Sequence, residues 1–116
     1  MSYTGALVFL FVTDLDRSTA FYQSLGLAVL IDQGSCRILG VDQALMVGLC
    51  GDRTPSPDGV IFTLVTDRVE AVCADLASRG VRFEQPPRYS ADYDITHAFL
   101  RDPDGYLVEI QRFESL

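Results

Sequence analysis

The sequence predicts an α+β fold in one domain over residues 1–116, built from two repeated β-α-β-β-β units that join into a cup-shaped mixed sheet. Three observations predict it. The tripeptide Val12-Thr13-Asp14 returns as Val65-Thr66-Asp67 after 53 residues, Phe9 and Phe62 share that spacing, and Gly26 and Gly80 lie 54 apart. Each copy begins with a β-prone apolar run and continues into a helix-like segment, then three short runs broken by glycine or turn residues. The runs 6–12 and 60–65 are apolar at both parities. A strand of that kind needs cover on both faces, and one helix per unit covers one. A second unit, a partner chain or a pocket must take the other face, and two copies side by side would curve into an open cup.

The first strand is expected at about 5–13, where Gly5 to Thr13 is apolar and β-prone. Asp14 or Asp16 then caps a helix by accepting free backbone N–H groups, and Gly26 stops it after about Ser24. Strands follow near 27–33, 35–40 and 43–50, separated by Gly34 and by Gly40-Val41-Asp42. Unit one thus occupies about 5–50, and 51–59, with Pro55 and Pro57, is a linker. Unit two occupies about 60–113. Its strand at 60–65 leads to a helix opened by Asp67, with Val69, Val72, Cys73 and Leu76 on one stripe and Gly80 as its stop. Strands near 81–88, 92–101 and 106–113 complete it. Asp102-Pro103-Asp104-Gly105 fits a type I turn with Pro at i+1 and Gly at i+3, making the last two strands a hairpin.

Composition excludes several chemistries. All nine basic residues are Arg, so no lysine is present for a Schiff base or a phosphate loop. His97 is the single histidine, which rules out a two-His iron triad or a three-His zinc site built from one chain. A formal charge of −7 opposes nucleic acid and anionic membrane as partners and suits a cationic small molecule. Cys36, Cys50 and Cys73 are odd in number and fit no metal or redox spacing, so buried free thiols are expected. The N-terminus has no basic start followed by a long apolar stretch, and the longest apolar run, Ala6 to Val12, is too short to span a bilayer; a soluble cytoplasmic protein is the expectation.

The segment Val12-Thr13-Asp14-Leu15-Asp16-Arg17-Ser18-Thr19-Ala20-Phe21-Tyr22-Gln23-Ser24-Leu25-Gly26-Leu27 resembles the opening motif of the vicinal oxygen chelate superfamily. Phe99 to Ile110, with Asp102-Pro103-Asp104-Gly105 and Glu109, resembles its closing motif. That superfamily includes glyoxalase I, extradiol dioxygenases, and fosfomycin and bleomycin resistance proteins. The resemblance implies the glyoxalase/bleomycin resistance fold, with short chains pairing as homodimers. It also implies a divalent metal held by four side chains, one from the first and one from the last strand of each unit. Carried onto this sequence, those positions fall on Leu7, Met46 or Val47, Val60 and Glu109, and only Glu109 can ligate. No metal or other cofactor is therefore expected, a lone carboxylate being unable to hold such an ion against water.

Strand alternation sets Leu7, Phe9 and Phe11 on the face of the missing ligand, and does the same for Val60, Phe62 and Leu64. The expected ligand-binding residues are Phe9, Phe11, Phe62, Tyr93, His97, Phe99 and Glu109, with His97 and Glu109 as candidate acid/base groups. Each has a plainer reading beside it: core packing for the phenylalanines, a structural role for His97, a satisfied hydrogen-bonding carboxylate for Glu109, and a solvated loop for Tyr93. The expected function is a metal-free binding protein that sequesters an aromatic or cationic small molecule such as an antibiotic, similar to the bleomycin resistance branch. The alternative is a metal-dependent lyase, isomerase or dioxygenase of the glyoxalase type using Glu109 and His97.

Overall fold

The computed structural model describes residues 2–115, in the order β1 (Leu7–Phe11), α1 (Leu15–Ser24), β2 (Ala28–Asp32), β3 (Cys36–Asp42), β4 (Leu45–Cys50), β5 (Ile61–Val65), α2 (Val69–Ser78), β6 (Gln85–Ser90), β7 (Ile95–Arg101) and β8 (Leu107–Phe113). The chain divides into two compact units, Met1–Ser56 and Pro57–Leu116. Each holds one β-α-β-β-β repeat, and the fold is α+β as expected. Neither helix is long and apolar enough to cross a membrane.

In the first unit the strand order is β1-β4-β3-β2. β1 runs parallel to β4, and the other pairings are antiparallel. α1 packs on β2, β3 and β4, burying Tyr22, Leu39, Val47 and Leu49 completely. Between the two candidate caps the structure selects Asp14, whose Oδ1 accepts the Arg17 N–H at 3.1 Å. Asp16 instead pairs with Arg37 Nη1 at 2.8 Å, tying the helix to β3 and holding the guanidinium pKa above its usual value. The helix ends in a Schellman turn: Gly26 takes φ 97°, its N–H reaches Gln23 O, and the Leu27 N–H reaches Tyr22 O.

The second unit repeats this plan in the order β5-β8-β7-β6, with β5 parallel to β8. α2 packs on β6, β7 and β8. Val69, Cys73 and Leu76 of the expected stripe are buried against Ala98, Leu100, Val108 and Ile110. Asp67 does not cap this helix. The cap position is Arg68, whose N–H is taken by Thr66 Oγ1 at 3.1 Å, while the Asp67 carbonyl accepts from Arg112 Nη1. β6 begins later than the sequence suggested. Pro86 and Pro87 are accommodated because β6 is an outer strand with a register shift between Gln85 and Arg88. The 102–105 turn forms as read: Asp102 Oδ1 accepts the N–H groups of Asp104 and Tyr106, both at 2.9 Å.

One expectation is corrected here. Cys36 and Cys50 are not free thiols. They stand opposite each other on β3 and β4 with Cα atoms 4.1 Å apart, and form a disulfide. They lie 14 positions apart in sequence, so only the strand register brings them together. Cys73 alone remains a buried free thiol among the described residues. Apolar side chains of the outer strands are left exposed in the single chain: Val8 of β1 is 57% exposed, and Ile61 and Val65 of β5 are 54% and 59% exposed.

Burial pushes the Cys73 thiol up to about 11, so it is protonated and inaccessible in the fold. After air oxidation, iodoacetamide at neutral pH is expected to add nothing to the native chain. Mass spectrometry should find one adduct after denaturation and three after denaturation with a reductant. Three adducts without reductant would contradict the disulfide. The Arg112 guanidinium hydrogen-bonds Glu70 and draws its carboxyl down to about 2. A carboxyl lowered in the fold stabilises above its unfolded value and ceases to as the pH falls through its folded one. The urea midpoints of wild type and Glu70→Gln should therefore converge as the pH is lowered from about 5 toward about 2.

Candidate functional site

Register decides which side chains share a face. In the second unit Thr63 of β5 stands beside Glu109 of β8, which stands beside Phe99 of β7; His97 faces Gln111 two pairs further on, on the same face. These residues project to the side of the sheet away from buried Ala98, Val108 and Ile110. Glu109 is held from two directions. Its Oε1 accepts the Thr63 hydroxyl at 2.7 Å, and its Oε2 lies 2.7 Å from His97 Nδ1. The His97 and Glu109 side chains are only 12% and 11% exposed. Phe99 packs its ring against the imidazole with centroids 4.9 Å apart. In the neutral imidazole, a proton on Nδ1 satisfies the carboxylate and leaves Nε2 as an acceptor. No hydrogen bond from the described residues engages that nitrogen. Gln85, opposite Phe99, adds a buried Nε2 donor with no partner among the described residues.

The first unit presents a different surface on the corresponding face. Leu7, Phe9 and Phe11 alternate along β1, opposite Met46, Gly48 and Cys50 of β4. Phe9 lies over Gly48: a Cβ there would come within 2.4 Å of the ring. Leu7, Phe9, Ile31, Ile38 and Met46 line a cleft of about 690 Å³, with Gln33, Asp42 and Gln43 among its polar members. Phe9 and Phe11 also border a smaller cleft of about 320 Å³ beside the disulfide, where the Arg53 guanidinium lies 5.1 Å above the Phe11 ring.

Four sequence expectations shift once the register is known. The strands start at Leu7 and Ile61, the helices at Leu15 and Val69, and the stops are Gly26 and Gly80: the units correspond at 54 residues, not at the 53 of the repeated tripeptide. One residue of slip turns a strand over. Phe62 accordingly stands beside Val108, on the helix-covered side and away from Glu109. Val60 precedes β5, and the residue matching Leu7 is Ile61. The residue matching Glu109 is Gly48, not Met46 or Val47, since Gly48 pairs with Phe9 and Ile38 as Glu109 pairs with Thr63 and Phe99. Tyr93 lies in the turn after β6, 78% exposed, beside an Asp94 bonded to Tyr89 and Ser115, and joins none of the other candidates. The sequence reading missed Thr63, Gly48 and the disulfide; the Gly26–Gly80 spacing was the signal for the first two.

The comparisons with known proteins agree with this architecture. Residues 5–110 match the model of the Glyoxalase/Bleomycin resistance protein/Dioxygenase superfamily, and the chain belongs to that superfamily. It is 28% identical to the protein YraH of Bacillus subtilis (strain 168), over 89% of this chain and 93% of that one. Among solved structures it resembles a virulence protein from Salmonella typhimurium, with a TM-score of 0.77 at 21% identity, covering 97% of this chain and 98% of the other. It also resembles a bleomycin-binding protein solved in complex with bleomycin, with a TM-score of 0.74 at 22% identity, covering 95% and 98%. At these identities the structural likeness establishes the fold.

The superfamily's divalent metal is a poor fit to the residues present. At the four corresponding positions stand Leu7, Gly48, Ile61 and Glu109, and both Glu109 oxygens already have partners within the second unit. One carboxylate in this setting is far short of the several oxygen or nitrogen donors such an ion needs.

Removing the carboxylate leaves the Thr63 hydroxyl and the His97 N–H unpaired in a partly buried place. Glu109→Ala is expected to lower unfolding stability by about 1–3 kcal/mol. Nitrogen-15 NMR of neutral His97 should show the Nδ1–H tautomer in wild type and lose that preference in the variant. An Nε2–H tautomer in wild type would contradict the assignment.

Proposed function

We propose that this protein is a small-molecule-binding protein that works without a resident metal, capturing a planar aromatic ligand on the aromatic face of its first unit. The observation that carries this reading is Phe9 lying over Gly48, where the second unit has Glu109. A glycine leaves room for the ring, which a Cβ would displace, and the 690 Å³ cleft beside it is lined by Leu7, Ile31, Ile38 and Met46 among its apolar members. Such a surface recognises a ligand by area and stacking. Asp42 at the cleft and the formal charge of −7 favour a ligand with a positive group. The solved relative that holds bleomycin, an antibiotic, motivates an antibiotic as the first ligand class to test and a role in resistance.

The reading extends to assembly and location. It takes the protein to be a homodimer, with the exposed Val8, Ile61 and Val65 as its support, and to reside in the cytoplasm. A second reading has its own observation: the imidazole held by Glu109 with Nε2 available, and a buried Gln85 donor on the same side. That arrangement would suit proton transfer in a metal-free enzyme that uses His97 and Glu109 as an acid/base pair. It requires that His97→Ala abolish turnover of a substrate that wild type converts.

Isothermal titration against bleomycin and a panel of planar cationic aromatics tests the binding reading. Saturable heat is expected with at least one compound. Phe9→Ala should weaken it by about tenfold, the loss of roughly one stacked ring. Gly48→Val, which displaces the ring, should weaken it similarly while leaving the circular dichroism spectrum unchanged. Absence of heat across the panel, or unaltered affinity in both variants, would contradict the reading.

A further inference from the structure

We propose that Cys36, Cys50 and Asp52 form a redox-gated site for a thiophilic divalent cation of the zinc class, closed as the disulfide and open as the dithiol. The three side chains offer ligand atoms that all lie within 4.8 Å of one another. They line the same cleft of about 320 Å³ with Phe9, Phe11 and Arg53, so the sulfurs have an approach path. The inference is independent of the ligand reading above, since it uses neither the larger cleft nor Glu109.

The backbone already holds the ligands in place. Cys36 and Cys50 are direct partners in the β3–β4 ladder, and their 4.1 Å Cα separation is that of a closely spaced antiparallel pair. Tetrahedral zinc with sulfur at about 2.3 Å requires the two sulfurs to stand roughly 3.8 Å apart. Side-chain rotation reaches that from a bonded pair without moving either strand. Asp52 follows two residues after Cys50 and supplies an exposed carboxylate oxygen. Three protein ligands leave the fourth position to water or to a small molecule. Charge also balances: two thiolates and one carboxylate meet a dication and the neighbouring Arg53. The pair occupies the positions taken by His97 and Gln111 in the second unit, so both units carry chemically capable side chains at this register.

The gating step needs a thiol reductant, the class that keeps cytoplasmic cysteines reduced. A dithiol delivers two electrons and two protons and closes to its own disulfide, while the Cys36–Cys50 sulfur–sulfur bond breaks to give two thiols. The incoming dication then releases both thiol protons to solvent as two metal–sulfur bonds and one bond to an Asp52 oxygen form. An incoming disulfide reverses the step: it takes the two electrons of the thiolates and two protons from solvent to become a dithiol, while the Cys36–Cys50 bond re-forms and the ion is released to solvent.

Cobalt(II) serves as the spectroscopic probe for the zinc-class ion. Full-length protein is reduced with a phosphine, freed of it under argon and titrated with cobalt. One cobalt per chain is expected, with a thiolate-to-cobalt charge-transfer band that zinc abolishes. The same protein with its disulfide closed should give no band, a comparison that needs no substitution. Asp52→Asn should weaken binding by about tenfold or more, Cys36→Ser should remove the band, and Cys73→Ala should leave it intact. No band in the reduced wild type, unchanged affinity in Asp52→Asn, an undiminished band in Cys36→Ser, or loss of the band in Cys73→Ala would overturn the proposal.

Discussion

The register of the parallel strand pairs is the constraint on which the rest of the structure depends. β1 against β4 sets Phe9 beside Gly48, and β5 against β8 sets Thr63 beside Glu109. A strand shifted by one residue presents its opposite face, so these two registers decide which β1 and β5 side chains stand beside Gly48 and Glu109. The helices secure them from the other side. α1 and α2 bury Val47, Leu49, Val108 and Ile110, and burial of this set leaves no freedom to slip.

The two units use one scaffold for different ends. In the second, a carboxylate is held by a hydroxyl and an imidazole, so its charge is compensated by short hydrogen bonds at little exposure. In the first, the matching position carries no side chain, and the space is taken by an aromatic ring. Two residue pairs further along, on the same face, the second unit has His97 and Gln111 and the first has a disulfide. Each replacement preserves the backbone while changing what the face can bind, which is how one fold serves many functions.

Much of this was legible in the sequence because it rests on local chemistry. Glycine stops, the Asp-Pro-Asp-Gly turn and the stripe on α2 follow from the φ and periodicity that Gly26, Gly80, Gly105, Val69, Cys73 and Leu76 impose. The closing motif singled out Glu109, and period-two alternation put Phe9 with Leu7 and His97 with Phe99. What the sequence hid is set by pairing between distant segments. The Val-Thr-Asp repeat suggested an offset one residue short, which put Phe62 on the wrong face and concealed both Thr63 and Gly48. Cys36 and Cys50 become neighbours only through the β3–β4 ladder, so their spacing along the chain carried no sign of a disulfide.

The central claim is that Glu109 is engaged by Thr63 and His97 and takes no part in holding a metal ion. Adding manganese(II) to disulfide-closed protein while observing the His97 ring resonances tests it most directly, because a paramagnetic ion bound to Glu109 would lie within a few ångströms of the imidazole. The account predicts His97 lines that stay sharp at one equivalent of manganese. Selective loss of those lines at stoichiometric metal would contradict it.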